Sequence, residues 1–171
     1  TIYYPSIWDI IDKKIKYFPF CGKIYNRPSV LDGTIEEIVA DAKRIEEAGA
    51  DALELNVYYW PTEKTKSGQE IEQIYLDLVK MLRQNICIPV AVELSPYFSS
   101  IPGMAHKIVQ QGANGLVFFN RFYQPDVDLV KMSIETNLEL SSSSELRLRL
   151  RWVAILYQNI KADLAITGGV H

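Results

Sequence analysis

The sequence predicts an α/β fold in which short parallel strands alternate with helices. Three stretches share one pattern: a helix end, a turn of small residues beside Asp or Asn, and a short apolar strand that ends on a polar residue. Such strands are separated by segments of roughly ten to fifteen residues with apolar side chains at helical spacing, which is typical of crossover helices. The three stretches are Ala48–Asn56, Gln111–Asn120 and Lys161–Gly169.

The composition fits one domain and argues against several functional classes. Because the 171 residues are 48% hydrophobic, residues 1–171 can bury a sizeable core and need neither disulfides nor a metal centre. A net charge of −3 gives no basic field to attract nucleic acid or an anionic membrane. Two cysteines, Cys21 and Cys87, do not make a secreted disulfide scaffold, so we expect a reducing, cytoplasmic setting. No apolar run approaches the roughly 20 residues of a membrane span.

The N-terminal part of the chain is predicted to contain two helices on either side of one strand. Ser6–Tyr17 carries isoleucines at helical spacing and predicts a surface helix. Phe18–Tyr25 follows as the first strand, and Asn26–Gly33 is rich in turn-forming residues and predicts a loop. A Thr-x-x-Glu capping box at Thr34–Glu37 predicts the start of a helix that ends at Gly49.

The middle and C-terminal parts repeat the order of strand and helix. An aromatic loop at Tyr58–Trp60 follows the second strand, and a second capping box at Ser67–Glu70 opens the next helix. The predicted elements are a strand at Asp51–Val57, a helix from Ser67, a strand at Ile88–Leu94, a helix at Met104–Gln111, and strands at Leu116–Asn120 and Ala162–Thr167.

One segment departs from this repeat. Residues 126–141 contain two arms of alternating polar and apolar side chains around Glu135–Asn137, which predicts an inserted β-hairpin. Insertions after the strands of such folds lie over the site at the strand ends, so the hairpin is a candidate lid. Ser142–Glu145 then predicts the cap of a helix that ends near Asn159.

Two architectures join parallel strands through helices: a TIM-type barrel and an open doubly wound sheet. The strands here end in single polar residues, and no Gly-x-Gly-x-x-Gly turn follows the first strand, which favours the barrel. A complete barrel has eight strands and roughly 250 residues, whereas five strands are predicted in this sequence. We therefore expect a TIM-type (β/α) barrel that is incomplete in this chain, with an inserted β-hairpin near the rim at the strand C-termini.

The predicted strand ends carry amide, carboxylate and hydroxyl groups on one side. Because side chains alternate along a strand, Asn56 and Glu93 face the barrel interior when their apolar neighbours face the helices. Asn120 and Thr167 fall on the same side, and Gly168–Gly169 follows directly. Amides can bind a planar heterocycle, and two glycines let backbone N–H groups approach a phosphate. The rim therefore suits a phosphorylated heterocyclic cofactor.

Each of these residues also has a structural interpretation. A Gly-Gly pair at a strand end is often a plain tight turn, and asparagines at strand ends often cap loops. Glu54 and Glu93 can form a buried acid pair with raised pKa values, or they can be charges paired for structural reasons. The aromatic side chains of Tyr58–Trp60 can pack on the core or offer a stacking platform.

Five phrases of the sequence carry a further signal, and the Asn-Arg-Phe-Tyr-Gln-Pro phrase at residues 120–125 is fairly specific. Together they resemble the dihydroorotate dehydrogenase family, and more narrowly its bacterial dihydroorotate dehydrogenase-like branch. The similarity runs from about Phe18 to His171. The five phrases are Ala48–Asn56, Ile88–Pro96, Phe119–Pro125, Glu145–Trp152 and Thr167–Val170.

The resemblance implies an FMN-binding TIM barrel that oxidises dihydroorotate to orotate in pyrimidine biosynthesis. It implies that Asn56 and Asn120 lie at both the flavin and the substrate, and that Gly168–Gly169 holds the FMN phosphate. Glu93 stands where the family has a lysine beside the flavin. The family's Cys or Ser base falls in the loop occupied here by Tyr58 and Tyr59, so no catalytic residue is identified. The expected cofactor-binding residues are Asn56, Glu93, Asn120, Thr167, Gly168 and Gly169.

Two other functions fit the same residues. A non-catalytic barrel fragment would act as a structural or assembly unit, whose open edge strands bind a second copy or a complementary barrel segment. A phosphate-binding lyase or isomerase would use Glu93 as its base. The leading prediction is an FMN-dependent oxidoreductase that acts on a small molecule.

Overall fold

The computed structural model describes part of the chain, and several predicted features lie outside that part. These are the helix at residues 6–17, residues 18–22 of the first predicted strand with Cys21, Tyr58, Trp60, residues 121–125 and residues 136–137. The described residues are 23–25, 30–57, 59, 61–120, 126–135 and 139–170.

Strands and helices alternate through most of the described residues. In chain order the elements are β1 (Lys23–Tyr25), β2 (Val30–Asp32), α1 (Ile35–Glu47), β3 (Leu53–Asn56), α2 (Gly68–Asn85), β4 (Val90–Leu94), α3 (Ile101–Gln110), β5 (Gly115–Phe118), β6 (Asp126–Asp128), β7 (Ser133–Glu135), a 3-10 turn (Ser143–Glu145), α4 (Leu146–Leu156) and β8 (Asp163–Ile166).

Four strands form the central parallel sheet, in the order β3, β4, β5, β8. Each strand lies beside its predecessor in this series, so the strand order never reverses. The parallel register pairs Asn56 with Glu93, and Val117 with Glu93 on the other side. The prediction of parallel strands joined by helices is therefore confirmed for these four.

The described part of the first predicted strand does not join this sheet. The part of it that is described, β1, pairs antiparallel with β2 instead, with Tyr25 opposite Val30. The prediction that residues 18–25 start the parallel series is wrong for β1, and the predicted loop at 26–33 contains a strand. Only residues 26–29 separate the two strands, and a connection that short can join an antiparallel pair but not a parallel one.

The two faces of the central sheet differ in polarity. One face is apolar and lies under the helices, and full burial of one such large side chain contributes about 1.5–3 kcal/mol. Helix α1 packs beside α2, α2 beside α3, and α4 against β5 and β8. The eight buried residues of this face on the first three strands of the sheet are Leu53, Leu55, Val57, Val90, Val92, Leu94, Leu116 and Phe118.

The opposite face carries the alternate residues, among them Glu54, Asn56, Ala91, Glu93 and Thr167. An open doubly wound sheet has helices on both faces and a reversal of strand order. Neither feature is found among the described residues, in which most of the large apolar residues of the sheet lie on one face and Val117 lies on the other. The architecture is that of a TIM-type barrel, and the polar face is its inner side.

The capping boxes predicted for α1 and α2 are present. The Glu37 N–H donates to Thr34 Oγ1 at 3.3 Å, and the Thr34 N–H donates back to Glu37 Oε2 at 2.9 Å. Ser67 and Glu70 repeat the arrangement, with the Ser67 N–H donating to Glu70 Oε2 at 2.7 Å. Gly49 follows the end of α1 with φ +94°, the backbone conformation that commonly ends a helix.

Strands β6 and β7 form an antiparallel hairpin whose turn lies earlier than the sequence indicates. The turn spans residues 129–132 and not Glu135–Asn137, because Glu135 belongs to β7. Asp128 explains the difference: its carboxylate accepts hydrogen bonds from the Val130 and Lys131 N–H groups at 2.8 and 3.0 Å. Such side-chain bonds to the next backbone groups stabilise a turn at their own position.

Within the described residues, no helix combines the length and apolar character needed to cross a membrane.

Candidate active site

Glu93 lies at the centre of the candidate site, on the inner face near the end of β4. Its side chain is buried, with 8% of the residue surface exposed. Glu93 Oε2 accepts a hydrogen bond from Asn56 Nδ2 at 2.5 Å. Glu93 Oε1 lies 2.9 Å from the Thr167 hydroxyl, which follows the end of β8. The carboxylate thus joins residues from three strand ends.

The amide of Asn120 extends this network across the rim. Asn120 Nδ2 donates to Asn56 Oδ1, and the Asn120 backbone N–H donates to the Leu94 carbonyl at 2.8 Å. An asparagine amide has two donor hydrogens and one acceptor oxygen. Among the described residues, these bonds leave one N–H of each amide and the Asn120 Oδ1 available to a ligand. Two neighbouring amides with donors and an acceptor can bind a planar heterocycle.

The environment of Glu93 favours its protonated form. Burial raises the pKa of the Glu93 carboxyl, and the hydrogen bond from Thr167 opposes that rise. The carboxylate of Glu54 raises this pKa further, whereas the Arg149 guanidinium lowers it. Glu54 itself is exposed, so the two acids are not the buried pair considered from the sequence. They interact through charge alone.

A glycine turn follows β8 beside this network. The Thr167 N–H donates to the Phe118 carbonyl at 2.9 Å, and Gly168 and Gly169 both have φ +75°. Left-handed backbone favours glycine. A Cβ on Gly169 would lie 2.7 Å from the Leu146 backbone nitrogen, closer than real side chains approach. This turn therefore requires glycine both for its conformation and for its close packing on the start of α4.

Sequence reasoning missed Arg149, which lies behind the glycine turn. Its Nε donates to the Thr167 carbonyl, and its Nη1 donates to the Glu145 carbonyl at 2.9 Å. Only 5% of Arg149 is exposed. One sequence signal was available, because Arg149 shares a helical stripe with Val153 and Leu156, four and seven residues later.

The aromatic stretch Tyr58–Trp60 after β3, where the family resemblance implies a catalytic base, is described only at Tyr59. Tyr59 is half-buried against the core, and Lys66 Nζ lies 3.3 Å from its hydroxyl and 5.7 Å from its ring centre. The hydroxyl of buried Tyr75 donates to the Val57 carbonyl at 3.4 Å and anchors the start of the loop. Burial raises the pKa of Tyr75 to about 12, so this phenol stays protonated. No catalytic base is identified among the described residues of the loop.

The structure brings together Asn56, Glu93, Asn120 and Thr167, with Gly168 and Gly169 adjoining Thr167. Ser95, which follows β4, is buried and accepts a hydrogen bond from the Tyr97 N–H at 3.0 Å, so it belongs to the turn after β4. The network holds donors, acceptors and one buried acid at the strand ends. Such a set can orient a polar ring and bind a phosphate beside it.

Curated relatives are similar to part of this chain. The catalytic subunit of dihydroorotate dehydrogenase B (NAD(+)) from Anoxybacillus flavithermus is 33% identical over 106 residues, which is 59% of this chain and 33% of the relative. The corresponding subunit from Bacillus cytotoxicus is 36% identical over 105 residues, with the same coverage. The matches thus span about a third of the length of these relatives. No protein-family model matches the chain.

A solved structure supports the fold. Dihydroorotate dehydrogenase from Eimeria tenella, in complex with ferulenol, superimposes with a TM-score of 0.51 and 16% identity, covering 86% of this chain and 45% of that chain. At this identity the comparison concerns the fold alone. The TIM-type barrel predicted from the sequence is confirmed, and the sequence relatives give a distant similarity to the dihydroorotate dehydrogenase family.

Proposed function

We propose that this chain carries part of the flavin site of an FMN-dependent oxidoreductase that resembles dihydroorotate dehydrogenase. The observation that carries the proposal is the network of Asn56, Asn120, Glu93 and Thr167 at the strand ends, directly beside the Gly168–Gly169 turn. The partial similarity to bacterial dihydroorotate dehydrogenase B subunits supports the same function. The proposed setting is cytoplasmic, and the proposed substrate is dihydroorotate or a related small molecule.

The described residues fit the two polar parts of FMN. Backbone N–H groups at Gly168–Gly169 would bind the phosphate, because neither glycine carries a side chain of its own. The free amide groups of Asn56 and Asn120 would bind the polar edge of the ring or the substrate. FMN, when bound, supplies the electron acceptor for substrate oxidation.

Glu93 sets the charge at the centre of this site. A neutral Glu93 keeps one O–H donor, whereas an ionised Glu93 repels an anion held near the amides. Its raised pKa favours the neutral form more than an exposed carboxyl would. The role we propose for Glu93 is therefore to orient Asn56 without adding a full negative charge at low pH.

The proposal is tested by measuring FMN affinity before and after a change at Asn56. Equilibrium dialysis with the purified chain should give saturable FMN binding, and Asn56→Ala should weaken it by at least about tenfold, equivalent to about 1.4 kcal/mol. The variant removes one amide contact and leaves Glu93 Oε2 without its donor, while the Thr167 hydroxyl still lies 2.9 Å from Oε1. Circular dichroism establishes that the variant is folded.

Asn159→Ala is the matched control, because Asn159 is exposed and its amide donates to the Ile155 carbonyl, outside the network. Its FMN affinity should equal that of the unchanged chain. Equal affinities for the Asn56 and Asn159 variants would remove Asn56 from the site.

A second candidate is a structural or assembly unit, and the exposure of the inner face favours it. Ala165 and Glu54 are exposed although both belong to the inner face of a barrel sheet. Strands β3 and β8 are the edges of the sheet in the described part of the chain. Unpaired sheet edges are templates for further strands. A second copy or a complementary barrel segment would cover them.

Light scattering tests this candidate. An assembly unit should have a mass of at least two chains at micromolar concentration, and Ala165→Lys should shift it toward one chain, because a charge on the inner face opposes burial. The exposed substitution Ala154→Lys on α4 is the control. A monomer without bound flavin contradicts assembly.

A further inference from the structure

Arg149 is a buried cation on α4, and no part of the proposed flavin chemistry requires it. Its side chain is almost fully enclosed, with 6% exposed. A buried charge is costly unless hydrogen bonds and an opposite charge compensate for it. The contacts that compensate for the burial of the Arg149 charge therefore indicate which parts of the chain this residue holds in place.

Those contacts lie at two places in the chain. On one side, Nε donates to the Thr167 carbonyl at the end of β8. On the other, Nη1 donates to the Glu145 carbonyl at 2.9 Å, and Nη2 lies 3.3 Å from Glu145 Oε2. The planar guanidinium thus joins the end of β8 to Glu145, the last residue of the 3-10 turn before α4.

The glycine turn fits closely around this guanidinium. A Cβ on Gly168 would lie 3.1 Å from Arg149 Nη2, and a Cβ on Gly169 would meet the Leu146 backbone nitrogen at 2.7 Å. The same Thr167 whose carbonyl binds Arg149 places its hydroxyl 2.9 Å from Glu93 Oε1. Arg149 therefore adjoins the turn and is linked to the central carboxylate through one residue.

We propose that Arg149 is a positioning residue. Its guanidinium fixes the Thr167–Gly169 turn in the conformation whose backbone N–H groups bind a phosphate ester, and this role rests on the flavin function proposed above. The three donor directions of the guanidinium are fixed in one plane, so a flexible ammonium cannot reproduce them. The positive charge behind the turn also attracts an anion in front of it.

Arg149→Lys separates this role from a general effect of charge or stability. The lysine keeps the charge but loses the planar set of donors. FMN affinity should fall on the order of tenfold, whereas the affinity for riboflavin, which lacks the phosphate, should stay within about twofold. Arg151→Lys, an exposed position on the same helix, is the matched control and should change neither affinity.

The affinities of the Arg149 variant for FMN and for riboflavin test the positioning role. Loss of FMN affinity with riboflavin affinity retained supports the proposal, whereas equal loss of both, or no loss, overturns it. If circular dichroism finds the lysine variant unfolded, Arg149→Gln replaces it, with Arg151→Gln as the control that removes the same charge at an exposed position. The FMN-to-riboflavin affinity ratio is a readout that a purely structural role would not change.

A separate measurement distinguishes failure of this inference from failure of the flavin function. If the unchanged chain binds neither flavin, the flavin function is wrong, and backbone amide chemical shifts of Thr167, Gly168 and Gly169 then test the position of the turn. Arg149→Lys should move these three signals, whereas Arg151→Lys should not. Unmoved signals in the Arg149 variant overturn the positioning role.

Discussion

The Glu93 carboxylate receives hydrogen bonds from two residues on different strands, and its two oxygens have different partners. Oε2 faces a nitrogen donor on Asn56, whereas Oε1 faces the Thr167 hydroxyl, which also lies 3.0 Å from the Phe119 carbonyl. A glutamine can satisfy the same positions. Its oxygen accepts from Asn56, and its N–H donates to Thr167, whose hydroxyl then donates to Phe119.

Glu93→Gln should therefore retain the network and change the pH dependence of stability. The folded-state pKa of Glu93 is raised above the ordinary value of 4.5, mainly by burial. As the pH rises, the carboxyl therefore loses its proton in the unfolded state before it does so in the folded state. Between these two pKa values, a rise in pH lowers the contribution of Glu93 to the stability of the folded state. The free energy of unfolding of Glu93→Gln, relative to the unchanged chain, should increase as the pH rises from about 4 to about 8.

Urea denaturation at these two pH values measures the change, and Glu139→Gln, at an exposed position, corrects for the loss of one negative charge. A difference that stays constant or decreases with pH would show that Glu93 does not carry a raised pKa in the folded chain.

At the residue scale, strand periodicity predicted the inner-face positions but not their partners. Alternation along β3 and β4 put Asn56 and Glu93 on one side, where the structure joins them directly. Arg149 was not predicted, because in Arg147-Leu-Arg-Leu-Arg151 every second residue is charged, and only the helical stripe with Val153 and Leu156 distinguishes Arg149 from the other two arginines. Burial of that one side chain depends on the neighbouring turn.

Among the elements, the turn that follows β8 packs closely on the start of α4, beside the site. Gly169 is buried, and its backbone lies against Leu146 and Glu145. Because φ is positive, any side chain there is strained even before it meets these atoms. The turn after β8 thus couples the position of that strand end to the position of the start of α4.

Gly169→Ala should lower the free energy of unfolding by about 1–3 kcal/mol, from left-handed backbone strain and the contact with the Leu146 nitrogen. It should weaken FMN binding as well, since the same turn is the proposed phosphate site. Gly68→Ala is the matched control, because a Cβ there meets nothing within 4 Å. That control should leave stability unchanged or raise it by up to about 1 kcal/mol. Equal effects in urea denaturation would contradict the packing of the turn.

Capping boxes, helix periodicity and apolar strand runs identified most elements of the described chain from sequence. The sequence-based predictions were wrong where short-range hydrogen bonds or short connections determine the structure. Asp128 moved the hairpin turn to residues 129–132, and the short connection at 26–29 made β1 and β2 an antiparallel pair. Neither effect has a strong periodic signal in the sequence.

For the whole molecule, the sheet of β3, β4, β5 and β8 was predictable because a helix of suitable length lies between each of these strands and the next one in the sheet. The sequence alone favoured a barrel over an open sheet, and the structure distinguishes them because the helices pack on one face of the sheet. The polar inner face is partly exposed, since Glu54 and Ala165 lie on it without cover. Both the flavin proposal and the assembly proposal concern this face, because a barrel closed by further strands would bury it and enclose the site.

Binding of FMN to the purified chain is the measurement that tests the central claim most directly. We expect a visible-absorbance titration to show a shifted flavin spectrum that saturates at one FMN per chain, with riboflavin bound more weakly because it lacks the phosphate. No spectral shift and no retained flavin at up to about 1 mM FMN, which limits any binding free energy to about 4 kcal/mol, would contradict the proposed flavin site.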